Sequence, residues 1–206
     1  MRETMATKKY TTTLNTRPFM YNETKEIAGL VRQGIAPEDI KKMVLQQNIF
    51  QLASNDRAVR FFNEILKRLK ELDSFLMEQF IESDTSTSKA ILLYALLKKD
   101  QLFYEWVREV VWDKLIIMEW HLTPKETMSF FETKREQNEA IRGWGENTKK
   151  RLVSAYHKTL VDAELAVFTN EGLQLQPLII SSDVRNYLKE NKEKNTVEIL
   201  LGESLG

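Results

Sequence analysis

Apolar positions recur at helical spacing along most of the chain, and breaks in that rhythm divide it into a series of helices. Between Glu23 and Gln33, Ile27, Leu30 and Val31 share one face; Gly34 is a stop and Pro37 opens a second helix at its first turn. That helix buries Ile40, Met43 and Val44 and ends near Asn48. Ser54 and Asn55 are N-cap candidates for a third helix carrying Val59, Phe61, Phe62, Ile65, Leu66 and Leu69. A shorter helix through Phe75, Leu76 and Phe80 follows, and the small polar run Ser83-Asp84-Thr85-Ser86-Thr87-Ser88 is the best linker candidate.

Beyond this run, Ile91 to Leu97 is apolar nearly all round and Leu102 to Ile117 is rich in Phe, Trp, Val and Ile, the pattern of two central buried helices. Thr123-Pro124, with Glu126 as the third helical residue, predicts a capping box and a helix running to about Gln137. A loop around Gly143-Trp144-Gly145 leads to a long amphipathic helix over 148–163. Val167-Phe168, the turn-prone Asn170-Glu171-Gly172 and Leu173-Gln174-Leu175 suggest a short β-hairpin or wing-like loop. A last clear helix carries Val184, Tyr187 and Leu188, and residues 196–201 form an apolar tail able to dock on the body. The expected fold is all-α: a compact multi-helix bundle with two helix-turn-helix-like units and one short hairpin near 165–176. It divides into an irregular segment over 1–21, an N-terminal helical unit over 22–84 and a C-terminal helical unit over 85–206.

Composition agrees. The 206 residues are 42% hydrophobic with only 7 Gly and 4 Pro, which favours helices around a real core. With no Cys, disulfides, thiolate zinc sites and cysteine nucleophiles are excluded. Residues 1–9 lack the apolar centre of a signal peptide, and no stretch approaches the roughly 20 apolar residues that span a bilayer. A cytoplasmic protein with no membrane contact is expected.

The 30 Lys and Arg balance 30 Asp and Glu, so any polyanion binding must come from a local patch. One candidate stands out. Lys149-Lys150-Arg151 follows Asn147-Thr148 at the expected start of the 148–163 helix, where the helix dipole disfavours each cation by about 0.3–1 kcal/mol. Phosphate oxygens would offset that cost, taking both the free N–H groups and the cations. Leu152, Val153, Tyr156 and Leu160 mark the buried stripe of this helix, and Lys150, Arg151, Ser154 and Lys158 lie opposite, with no acid before Asp162. Lys149 falls on the apolar side, but at the helix tip its amine is expected to reach outward. The third helix offers Arg57 and Arg60, with Glu64 and Glu71 spaced to pair with Arg60 and Lys67. Solvated charge faces are the alternative reading for both helices.

Catalytic patterns are missing. His121 and His157 have no metal-ligand spacing partner, so no metal is expected, and there is no GxGxxG, Walker-type loop or GxSxG elbow to imply a cofactor. His157 reads as an exposed or half-buried helix residue. Trp106, Trp112 and Trp120 read as core, leaving Trp144 as the one aromatic candidate for base stacking.

The order of segments resembles the BrxA family, a small component of the BREX bacteriophage-exclusion systems. The resemblance rests on Lys25-Glu26-Ile27-Ala28-Gly29-Leu30-Val31 with Gly34, Leu45 to Gln51, Tyr94-Ala95-Leu96-Leu97-Lys98, Leu122-Thr123-Pro124, Trp144 to Leu152 and the closing run Leu175 to Leu188. It implies a helical cytoplasmic protein with two helix-turn-helix elements that binds double-stranded DNA beside a methyltransferase, a phosphatase-like protein and ATPases. No catalytic residue, cofactor or metal comes with it. Face geometry then nominates Arg57, Arg60, Thr148, Lys149, Lys150, Arg151, Ser154 and Lys158 as DNA contacts. A protein-interaction scaffold within the same assembly and an RNA or single-strand binder are the rival readings.

Overall fold

The computed structural model describes residues 10–205. Helices α1 (Tyr21–Arg32), α2 (Pro37–Gln46) and α3 (Asn55–Leu69) form the first layer, with α4 (Ser74–Glu82) and α5 (Thr85–Lys99) against it. The signals expected from sequence set their ends. Ser54 Oγ accepts from the Arg57 N–H, and Pro37 occupies the first turn of α2. Gly34 takes a left-handed φ of 77° between α1 and α2, a conformation open to glycine without steric cost.

Helix α5 runs through the centre, with every side chain from Ala90 to Leu97 buried. The expected linker is not one: Asp84 caps α5 through the Thr87 N–H, and Thr87 and Ser88 are buried in its first turn. Polar residues serve here as caps and inward hydrogen bonders, with Ser88 Oγ donating to the Phe80 carbonyl at 2.9 Å.

The next buried rod is α6 (Gln101–Trp106), a π-helical stretch over Val107–Trp112 and α7 (Asp113–Ile116). Strand β1 (His121–Leu122), α8 (Pro124–Gln137), the single turn α9 (Glu139–Arg142) and α10 (Glu146–Asp162) follow. The Thr123–Glu126 capping box forms as expected. The hairpin is real, and larger than its sequence suggested. Strands β2 (Ala166–Phe168) and β3 (Leu173–Leu175) pair antiparallel, and β1 adds to the far side of β3 in the order β1-β3-β2. Gly172 is required at the turn, because a Cβ there would lie 2.3 Å from the Leu122 carbonyl oxygen. Finally α11 (Ser182–Asn191) leads to α12 (Lys194–Leu201), which docks on α5. The protein is mostly helical with one small antiparallel sheet, and no helix among the described residues is long and apolar enough to cross a membrane.

The core is aromatic where α10 meets α6 and α8: Tyr156 lies 5.0 Å from both Phe103 and Trp106 and 5.4 Å from Phe131, ring centre to ring centre. His157, expected to be exposed or half-buried, is only 4% exposed and shares a 2.8 Å hydrogen bond with Thr127 Oγ1.

The segment read as irregular also has a defined place. A 3-10 turn over Thr13–Asn15 lies on α10, and Leu14, Phe19 and Met20 are buried. Its anchor is Arg68 of α3, which is fully buried. The guanidinium donates to the carbonyls of Pro18 (2.8 Å), Phe19 (2.7 Å) and Arg17 (2.9 Å), while its Nε donates to Glu64 at 3.2 Å. Glu64 also holds Lys99 at 2.6 Å, so it turns inward rather than pairing with Arg60. A buried guanidinium is tolerable only when its N–H groups are used this fully.

Two outcomes follow. Arg68→Met should cost about 3–5 kcal/mol in denaturant unfolding, because it leaves three buried carbonyls without their donor and Glu64 with Lys99 as its remaining cation. Burial lowers the His157 pKa to about 4, so below its ordinary value of 6.5 the unfolded chain takes up the proton first. Stability should therefore fall as pH drops from about 6.5 towards 4, by up to about 3 kcal/mol, and His157→Gln should flatten that part of the stability–pH curve.

Candidate nucleic-acid interface

Helix α10 begins two residues earlier than its cations suggest. Gly145, in extended conformation, is the N-cap, and Glu146 stands in the first turn where an acid complements the dipole. The three cations therefore sit further inside the helix than expected, and they do not act together.

Lys149 does not reach solvent. It is 1% exposed, and its ammonium is held by Glu132 of α8 and by Glu146 at 2.5 Å. These bonds, that to Glu132 first, raise the Lys149 pKa, and the same contact lowers that of Glu132. Its position on the apolar stripe prevailed over its nearness to the helix tip, and the carboxylate that receives it lies on another helix. Thr148 is also displaced from the expected site: it is half-buried, and its carbonyl accepts a 3.4 Å hydrogen bond from Asn15 Nδ2.

The other nominated residues converge. Arg57 and Arg60 from α3 and Lys150, Arg151, Ser154 and Lys158 from α10 line one groove of about 960 Å³. Its remaining wall is the segment 14–18, which adds Arg17. Sequence reasoning missed Arg17, because nothing local says that Arg68, 51 positions away, would hold its carbonyl here. Asn147 was likewise passed over as a helix-start residue, and it lies exposed on the same wall. No carboxylate is among the lining residues, while six are cationic.

Few of these cations are neutralised by the protein. Lys158 pairs with Asp162 at 3.0 Å, an exposed i,i+4 contact of small worth. Arg60 Nε donates to the Asp56 carbonyl at 3.2 Å, and the Arg57 guanidinium lies 5.1 Å from the Phe61 ring centre. Among the described residues, Lys150, Arg151, Arg57 and Arg17 form no ion pair. Ser154 Oγ donates to the Lys150 carbonyl. Trp144 is half-buried against the core and does not line the groove.

Together these features define a class: a helical protein with a composite cationic groove, built from two helices and an N-terminal strap. Within that class, the chain belongs to the BrxA family, whose model matches residues 8–192. It is 29% identical over 194 residues to the BREX protein BrxA of Bacillus cereus (strain H3081.97), covering 94% of this chain and 97% of that one. It is 21% identical to the BREX protein BrxA of Paramagnetospirillum magneticum (strain ATCC 700264 / AMB-1), covering 95% and 98%. The crystal structure of an uncharacterized protein from Magnetospirillum magneticum has the same fold, with a TM-score of 0.80 at 20% identity over 94% of this chain and 99% of that one.

The two kinds of lysine should separate in thermal melts. Lys149→Ala removes a buried stem and leaves two carboxylates facing each other, and should lower Tm by about 2–4 °C. Lys150→Ala relieves repulsion in a cluster without acids, and should leave Tm unchanged or slightly raised.

Proposed function

We propose that this protein is a non-enzymatic component of a BREX bacteriophage-exclusion system that binds double-stranded DNA, mainly through its phosphates. The observation that carries this reading is the groove itself, where cations from α3, α10 and the strap meet without a single lining carboxylate. Such a concentration of positive charge in a chain of zero net charge favours a polyanion over a general surface role. The arrangement around α10 supports the same reading. Helices α8 and α9 precede it and the β2–β3 hairpin follows it, the order of a helix-turn-helix unit with a wing. The kinship to BREX proteins supplies the biological setting, in which a methyltransferase, a phosphatase-like protein and ATPases are the expected neighbours.

A second reading, docking of one of those neighbours, is favoured by a specific surface. Ile116, Ile117 and Met118 are consecutive and exposed, the last two at 69% and 76%, and Met118 holds a left-handed φ of 60°. An exposed apolar turn of this kind is the mark of a protein contact.

Titration of a short duplex across a range of salt concentrations tests the DNA reading. Affinity should fall steeply with salt, and the Lys150→Ala/Arg151→Ala variant should bind all sequences more weakly, with a log–log slope shallower by about 2. Duplex affinity that ignores both salt and the double substitution would overturn it.

A further inference from the structure

The groove is shaped for more than a phosphate chain. Its volume of about 960 Å³ lies in the range of small-molecule pockets, about 300–1,000 Å³. A site of that volume suits an occupant the size of a single nucleotide. Its lining is also apolar in part: Pro18, Phe61 and Ala155 share it with the cations, and a phosphate chain alone would leave that surface wet.

Arg57 supplies the second element. Its guanidinium is exposed, unpaired with any carboxylate among the described residues, and laid over the Phe61 ring. The guanidinium is thus held within cation–π range of Phe61, and it offers a platform on which a flat aromatic group can stack. Nucleobases stack on guanidinium planes in this way. Lys150 and Arg151 stand across the groove on α10, placed for the phosphates on either side of a stacked base.

The geometry points to a nucleotide site: one nucleoside phosphate enters the groove, its base stacked on Arg57 beside the Pro18, Phe61 and Ala155 lining and its phosphates held by Lys150 and Arg151. This rests on the duplex-binding reading and deepens it, because the source that fits is a single unpaired nucleotide in otherwise paired DNA. Extrusion costs least where the base already lacks a partner. A free nucleotide offers the same chemistry, and the test separates the two sources.

Fluorescence-anisotropy titration compares a fully paired duplex with the same duplex carrying one unpaired nucleotide. The unpaired form should bind about tenfold more tightly. Arg57→Lys, which keeps the charge but loses the plane, should abolish that preference, lowering affinity for the unpaired form about tenfold more than affinity for the paired duplex. Lys150→Ala should weaken both forms alike. Competition by deoxyadenosine monophosphate at concentrations near those of the bound oligonucleotide would support the nucleotide site and assign it to the free form. Equal affinity for both duplexes, an unaltered Arg57→Lys variant and no competition would overturn the site while leaving duplex binding intact. Failure to bind either duplex would instead sink the reading beneath it.

Discussion

Arg68 holds the site together from within the core. Its guanidinium is closed off from water, and its bonds to three consecutive carbonyls fix the path of residues 17–19 along α3. The arrangement is demanding, since a guanidinium without its full set of acceptors would be strongly unfavourable in that position. Glu64 and Lys99 complete it, tying α3, α5 and the strap into one polar knot inside an otherwise apolar interior. The groove wall formed by 14–18 exists because of this knot, and so does the meeting of Arg17 with the cations of α3 and α10.

The contrast between Arg68 and Arg57, both on α3, shows how position decides what a charge does. Arg68 faces inward and spends its hydrogen bonds on the fold. Arg57 faces outward and rests on Phe61 with its donors uncommitted. The same division runs through α10, where Lys149 is consumed by Glu132 and Glu146 while Lys150 and Arg151, its immediate neighbours, stay in the groove.

Much of this was legible in the chain, and the part that was not has a common cause. Helices and their caps depend on residues within about four positions of each other, so Ser54, Pro37 and the Thr123–Glu126 box could be read directly. The outward face of α10 could be read for the same reason, since helical periodicity alone places Lys150, Arg151, Ser154 and Lys158 together. Strand β1 could not, because two residues make a strand only when β3 pairs with them. Neither could the burial of Lys149, His157, Glu64 or Arg68, whose partners include residues on other elements of the chain. The joining of the α3 and α10 patches belongs to this group: each was visible alone, and only packing makes them one surface.

A chain with 30 cations and 30 carboxylates has no monopole, yet six of those cations line one groove, leaving 24 against 30 carboxylates elsewhere. The rest of the chain therefore carries a formal charge of −6, and the groove is a local excess of +6 set against it.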